Sequence, residues 1–260
     1  MNRIAQGMVL VLLGAAALTS TVFTDLYLNY VQEAFRPFLI ASGLVVAALG
    51  LAIIGAELRV VVRGEEEAAE AAADGHAGHD HGHGHDHSRA PRVAWLLLLP
   101  VVSVFVIAPP ALGAYTAETA ASAAPPQDSA AEAEFDELGD PSSNAPVEMK
   151  LQEFVSRAWT DEERAMSGRT IELTGFVVPH PEGEGWYLAR LQMACCAADA
   201  IVNRVLVTAQ PDGTAAPETD SWWTVRGTWE EPAGDLQSVR DHRFRVEEMT
   251  AVDNPPDPYE

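Results

Sequence analysis

The sequence predicts a membrane protein with three transmembrane helices plus a C-terminal all-β (α+β) domain, a small OB-like barrel preceded by a short helix. Three observations carry that expectation. The first 117 residues hold three long apolar stretches without charge, the pattern turns from helical to alternating beyond residue 145, and about five short strand-like runs follow, some broken by glycine. Against 16 Lys+Arg stand 38 Asp+Glu, a net charge of −22 over 260 residues, which speaks against nucleic acid as a partner. The mean hydropathy of +0.00 averages two unlike halves. Two cysteines, adjacent at Cys195 and Cys196, exclude a disulfide-rich scaffold.

A helix needs about 20 apolar residues to cross a bilayer. Residues 4–24, 37–56 and 93–117 each reach that length without an ionisable side chain. The first also has the form of a cleavable signal peptide, with Arg3 ahead of a run containing Gly14, Ala15, Ala16 and Ala17. None of the three has the polar face of a soluble helix. With no Asp, Glu, Lys, Arg or His inside a span, the chain should not form a transport pathway alone. Pro100, Pro109 and Pro110 can kink the third span. Arg59, Arg63, Arg89 and Arg92 flank the loop between spans two and three, which places that loop in the cytoplasm. Arg3 agrees and Arg36 opposes. The expected division is 1–57 for two helices, 58–92 for a cytoplasmic loop, 93–117 for a third helix, 118–144 for a tether and 145–260 for an extracytoplasmic β-rich domain.

The cytoplasmic loop carries His76, His79, His81, His83, His85 and His87 among Gly and Asp. Imidazole binds Zn, Ni, Cu and Co, carboxylates can complete the sphere, and glycine lets the chain wrap an ion. A regular His-x-His run cannot pre-organise a catalytic site, so it reads as a weak, exchangeable buffer. The bland alternative is a polar linker that happens to be His-rich. Residues 65–73, Glu- and Ala-rich, can extend the second span as a helix.

The tether is rich in Ala, Ser, Pro and acid, and cannot bury enough apolar surface to fold. Leu151, Val155, Ala158 and Trp159 then recur at helical spacing, predicting a helix over 147–159. Thr160 to Glu163 has capping-box spacing, and Gly168 suits the end of the following turn. Strands are predicted over 169–178, 186–193, 202–209, 222–229 and 244–252, with a bend at Gly175.

Cys195 and Cys196 sit in Met193-Ala194-Cys195-Cys196-Ala197-Ala198-Asp199. Neighbours in a strand point to opposite faces, so both sulfurs meet one ion only if the chain turns there, which 197–200 permits. Three readings stay open: two small buried residues; a site using the thiolates with Asp199, and with Met193 or His180, for Zn or another divalent transition metal; and a vicinal disulfide or redox switch.

Gly175-Phe176-Val177, then Leu188-Ala189-Arg190, Met193, Cys195, Cys196, Ala198, Asp199 and Ala200, together with the N-terminal spans and the His/Asp/Gly loop, resemble the YcgQ-type family of permease subunits. The resemblance implies an accessory membrane protein paired with a multi-span permease, in a setting of metal-ion, notably zinc, homeostasis. It also draws Arg190 into the candidate site. An enzyme is not expected, since no Cys-x-x-Cys, Walker loop, G-x-S-x-G or H-E-x-x-H string occurs and His180 and His242 sit in no catalytic pattern. No organic cofactor is indicated. The alternatives are an extracytoplasmic thiol redox protein and a membrane-anchored interaction domain with structural cysteines.

Overall fold

The computed structural model describes residues 3–73, 99, 103, 110–119, 135, 138–139, 145–181, 184–253 and 259–260. It divides into two compact units, Met1–Pro110 and Ala111–Glu260.

The first unit pairs two helices. Helix α1 (Arg3–Leu18) continues through a π-helical turn, Thr19–Phe23, and α2 runs unbroken over Arg36–Ala73. Two segments, Arg3–Phe23 and Glu33–Arg63, are long and apolar enough to cross a membrane. Their contact is made by glycines one heptad apart on each helix. A Cβ on Gly14 would lie 2.7 Å from both Ala47 N and Gly43 O, and one on Gly50 would lie 2.6 Å from Gly7 O. Lacking side chains, these glycines let the backbones touch, as helices in lipid do where apolar burial gives no drive to associate. Arg3 pairs with Glu57 at 3.5 Å. The helical extension expected over 65–73 is present as the end of α2. The His tract and most of the expected third span, 93–117, lie outside the described residues.

The last residues of that expected span belong to the second unit. Helix α3 (Ala114–Thr119) buries Ala114 and Ala117 in its core, and its first turn is tied down by Asp220, whose Oδ1 accepts from Ala114 N at 2.5 Å. The expected tether also touches this unit at its described points. Phe135 lies under the Arg157 guanidinium at 4.5 Å, and Arg169 donates to the carbonyls of Leu138 and Gly139.

Helix α4 spans Leu151–Thr160. It begins later than its apolar spacing suggests because Val147–Glu148 forms a two-residue strand, β1, pairing in parallel with β2. The capping box expected at Thr160 does not form. Thr160 donates instead to Ser156 O, and the Asp161 carboxylate accepts from the N–H groups of Glu163 and Ala165. Gly168, at φ +70°, closes the turn in the left-handed region.

The strands fall within a residue or so of their expected places: β2 (Thr170–Pro179), β3 (Trp186–Gln192), β4 (Ile201–Ala209), β5 (Trp222–Glu230) and β6 (Arg243–Ala251). The sheet order is β1-β2-β3-β4-β6-β5, and β5 also pairs with β2, so five strands form a ring of hydrogen-bonded neighbours. All contacts in the ring are antiparallel except β4 with β6. Up to Phe176, β2 pairs with β5, and from Phe176 onward it pairs with β3. At the change of partner sits Gly175, where a Cβ would lie 2.6 Å from Ala189 O.

Two cores result. Within the ring, Ile171, Leu173, Val177, Leu188, Val205, Val225 and Phe244 meet the apolar stripe of α4, with Phe154 edge-on to Phe244 at 5.6 Å. On the other face of β2 and β3, Phe176, Val178, Tyr187, Ala189, Leu191 and Met193 are covered by α3 and Tyr259. The alternation in β3 therefore separates two buried faces.

Candidate metal centre

The hairpin between β3 and β4 carries the cysteines. Met193, 1% exposed, sinks into the second core and anchors the start of the turn. The chain then reverses through a 3-10 turn, Ala197–Asp199, with Cys196 as its N-cap in extended conformation. Asp199 organises the reversal. Its carboxylate accepts from Ala194 N at 3.0 Å and Cys195 N at 2.8 Å, with a longer, shared bond from Cys196 N at 3.4 Å. In return the Cys196 side chain accepts from Asp199 N.

This turn places both sulfurs on one side. They are 3.5 Å apart, free and half-buried. One ligand atom each from Cys195, Cys196 and Asp199 lies within 4.8 Å of the others. Thiolate, thiolate and carboxylate are ligands that zinc and its neighbours accept, and hydrogen bonds to a ligating carboxylate are what holds such a ligand in aim.

Protonation follows the same geometry. A hydrogen bond to Asp199, and then one to Cys196, push the Cys195 thiol up to about 12. The Cys195 thiol, followed by the backbone N–H groups, holds the Asp199 carboxyl below its ordinary value. Without an ion, the Cys195 proton stays on sulfur at neutral pH. That is the opposite of a redox-active cysteine, whose thiol is lowered. Binding an ion must therefore release a proton.

The other expected participants stand elsewhere. Arg190 stacks 5.0 Å over Trp222, donates to Tyr259 O at 3.1 Å and pairs with Glu260 at 3.7 Å. Glu260 in turn accepts from the N–H groups of Leu151 and Gln152 at the start of α4, so Arg190 serves as a structural tie. His180 lies beyond the far end of β2 and stacks on Tyr187 at 5.2 Å. At about 3.3 Å per strand residue, that is on the order of 20 Å along β3 from the cysteine turn. Met193 packs rather than reaching outward.

One titratable side chain without a predicted role is distinctive. His242 is buried between Trp159 and Trp229, with ring centroids at 5.7 and 5.8 Å, and burial lowers its imidazole to about 4. It stands just before β6, and its spacing of two and four residues from the buried Phe244 and Val246 is the sequence signal that would have found it.

Among known families, the one described as the DUF1980 C-terminal domain matches residues 128–260. No curated protein matches the chain. A protein given as an aspartyl-tRNA synthetase from Leishmania major Friedlin aligns at 13% identity and a TM-score of 0.25, over 45% of this chain and 23% of its own. The chain thus spans less than a quarter of that protein, and so faint a likeness carries no argument.

Proposed function

The chain belongs to the family of the DUF1980 C-terminal domain, and from that premise we propose that it is an accessory subunit of a multi-span permease in divalent-metal, zinc-like homeostasis. The Cys195–Cys196–Asp199 turn carries this reading. It is the one group among the described residues whose ligand atoms converge closely enough for a single ion. Three protein ligands leave a fourth position open for a water or a donor from the partner, which suits capture and handover better than permanent storage. The thiol raised by Asp199 disfavours a redox role.

In this reading the third span ends before the second unit begins at Ala111, so that only residues 93–110 of the expected 93–117 supply it, and the His tract lies in the cytoplasm as an exchangeable buffer. The cysteine turn faces the other side of the membrane, following the arginines around the second loop. The ring of five strands, with its single parallel contact between β4 and β6, supports an OB-type barrel. The combination agrees with the YcgQ-type resemblance.

Metal analysis of the full chain, purified with its membrane partners, tests the proposal. The six tract histidines are first replaced by Ser to remove the second source of binding. We expect about one equivalent of zinc or a related ion, lost in Cys195→Ala/Cys196→Ala. Asp199→Asn should weaken binding roughly 10- to 100-fold, the range for an oriented ligand group. Equal metal content in the parent and the double variant would overturn it.

A further inference from the structure

Resting on the reading of the cysteine turn as an ion site, we propose that Tyr259 and Glu260 are its positioning residues. Docked against β3, they hold the end of that strand where Cys195 and Cys196 can reach one ion.

The sheet leaves a gap beside the turn. Strand β3 pairs with β2 only from Trp186 to Ala189, because β2 lies beside β5 over Thr170–Phe176. Where β3 has left it, β2 takes β1 as a neighbour at Ile171 and Glu172. Of the six strands, only β4 then accompanies Arg190, Leu191 and Gln192. The cysteine turn thus closes a two-stranded ribbon, and two strands alone are marginally stable in water.

Tyr259 and Glu260 fill the gap. Tyr259 forms a parallel bridge with Leu191, and Glu260 N donates to Leu191 O at 2.9 Å. The Tyr259 ring is buried in the second core with Leu191 and Met193, and its hydroxyl accepts from Leu112 N at 3.0 Å. The Glu260 side chain, 5% exposed, joins β3 to α4. Its carboxylate faces Arg190 and accepts from Leu151 N at 2.9 Å and Gln152 N at 2.8 Å. Lys150, at the N-cap of that helix, makes no side-chain bond of its own there. A carboxylate so enclosed is held by the cation and the N–H donors around it.

Met193 stands two residues beyond Leu191 and two before Cys195, so the added strand edge ends where the turn begins. Gathering two thiols and a carboxylate on one ion costs less when the backbone that carries them is already ordered. Asp199 orders the turn itself, and Tyr259 with Glu260 orders its base. Releasing the two residues restores the bare ribbon and weakens the hold on an ion without changing any ligand.

Cobalt(II) titration of the full chain in detergent, with the six tract histidines as Ser, tests this through the thiolate-to-cobalt absorption. We expect Glu260→Ala to weaken cobalt binding about 10-fold or more, the scale for groups that orient metal ligands. Glu260→Gln, which keeps the shape and removes the charge, should weaken it in the same direction. Phe244→Leu, in the first core opposite the far end of β3, should lower the melting temperature and leave cobalt affinity unchanged. Without metal, the amides of residues 190–199 should exchange hydrogen faster in Glu260→Ala than in the parent. Equal affinity in the parent and both Glu260 variants, an equal loss in Phe244→Leu, or unchanged exchange at 190–199 would overturn the positioning role and leave the ion site standing. A parent that binds no cobalt through its thiolates would remove the ion site and the positioning role with it.

Discussion

At the scale of single residues, Asp199 and His242 show opposite uses of a titratable group. Asp199 is surrounded by donors, so its charge is the form the turn is built around. His242 is surrounded by indoles, so its neutral form is the one the core accepts. Its folded value of about 4 lies below the ordinary value near 6.5. The unfolded chain therefore takes up the proton first as pH falls, and stability is lost between pH 6.5 and 4. The nearby Asp241 opposes this without reversing it. The loss amounts to roughly 3 kcal/mol across that window. Thermal melts of the full chain, followed by tryptophan fluorescence at pH 7 and pH 4.5, should show a much smaller acid loss in His242→Phe than in the parent. Equal losses would show that other groups govern the acid response.

At this same scale, legibility from sequence was uneven. The turn at residues 197–200 and the nearness of Asp199 to a thiol could be read from small residues and spacing. That Asp199 grips three consecutive N–H groups could not, because such a grip depends on the exact path of the backbone. Arg190 lay inside the string shared with the resembled family, yet it turns to Glu260, a partner some seventy residues away that no local pattern discloses.

Among elements, strand alternation was readable because each strand has two distinct faces. Both faces of β3 are buried, Tyr187, Ala189 and Leu191 in one core and Trp186 and Leu188 in the other, which the alternation alone did not disclose. Less visible was β1, since two residues are too few for a period, and Lys150 in extended conformation delays the helix to Leu151. The contacts of Phe135, Leu138 and Gly139 were hidden by the acidic, alanine-rich composition around them. Burial of Phe154 between α4 and β6 should make Phe154→Ala cost about 3–5 kcal/mol, read as a lowered melting temperature of the full chain. The helix pair makes a sharper test. In a Cys195→Ala/Cys196→Ala background, cysteines placed at Arg3 and Glu57 should be joined by a thiol-specific cross-linker that spans the reach of the Arg–Glu ion pair there. Gly14→Leu should suppress that cross-link, because its side chain would meet Ala47 N and Gly43 O. Unchanged cross-linking would mean that the glycines do not set the helix contact.

On the scale of the whole molecule, the length of α2 has a consequence for where metal would be handled. Thirty-eight residues at 1.5 Å each give a rod of roughly 57 Å, against about 30 Å of bilayer hydrocarbon. In a membrane-spanning arrangement, some 27 Å of helix would extend beyond the bilayer hydrocarbon, and about 20 Å beyond the headgroups, before the helix ends at Ala73. Electrostatic influence of the headgroups fades over about 8–10 Å at physiological ionic strength. The end of α2 would thus stand outside the ionic atmosphere in which divalent cations crowd against anionic lipid. A ligand group carried there would sample the free ion concentration of the bulk solution and not the enriched layer at the surface, as a gauge mounted on a mast reads the wind above the trees.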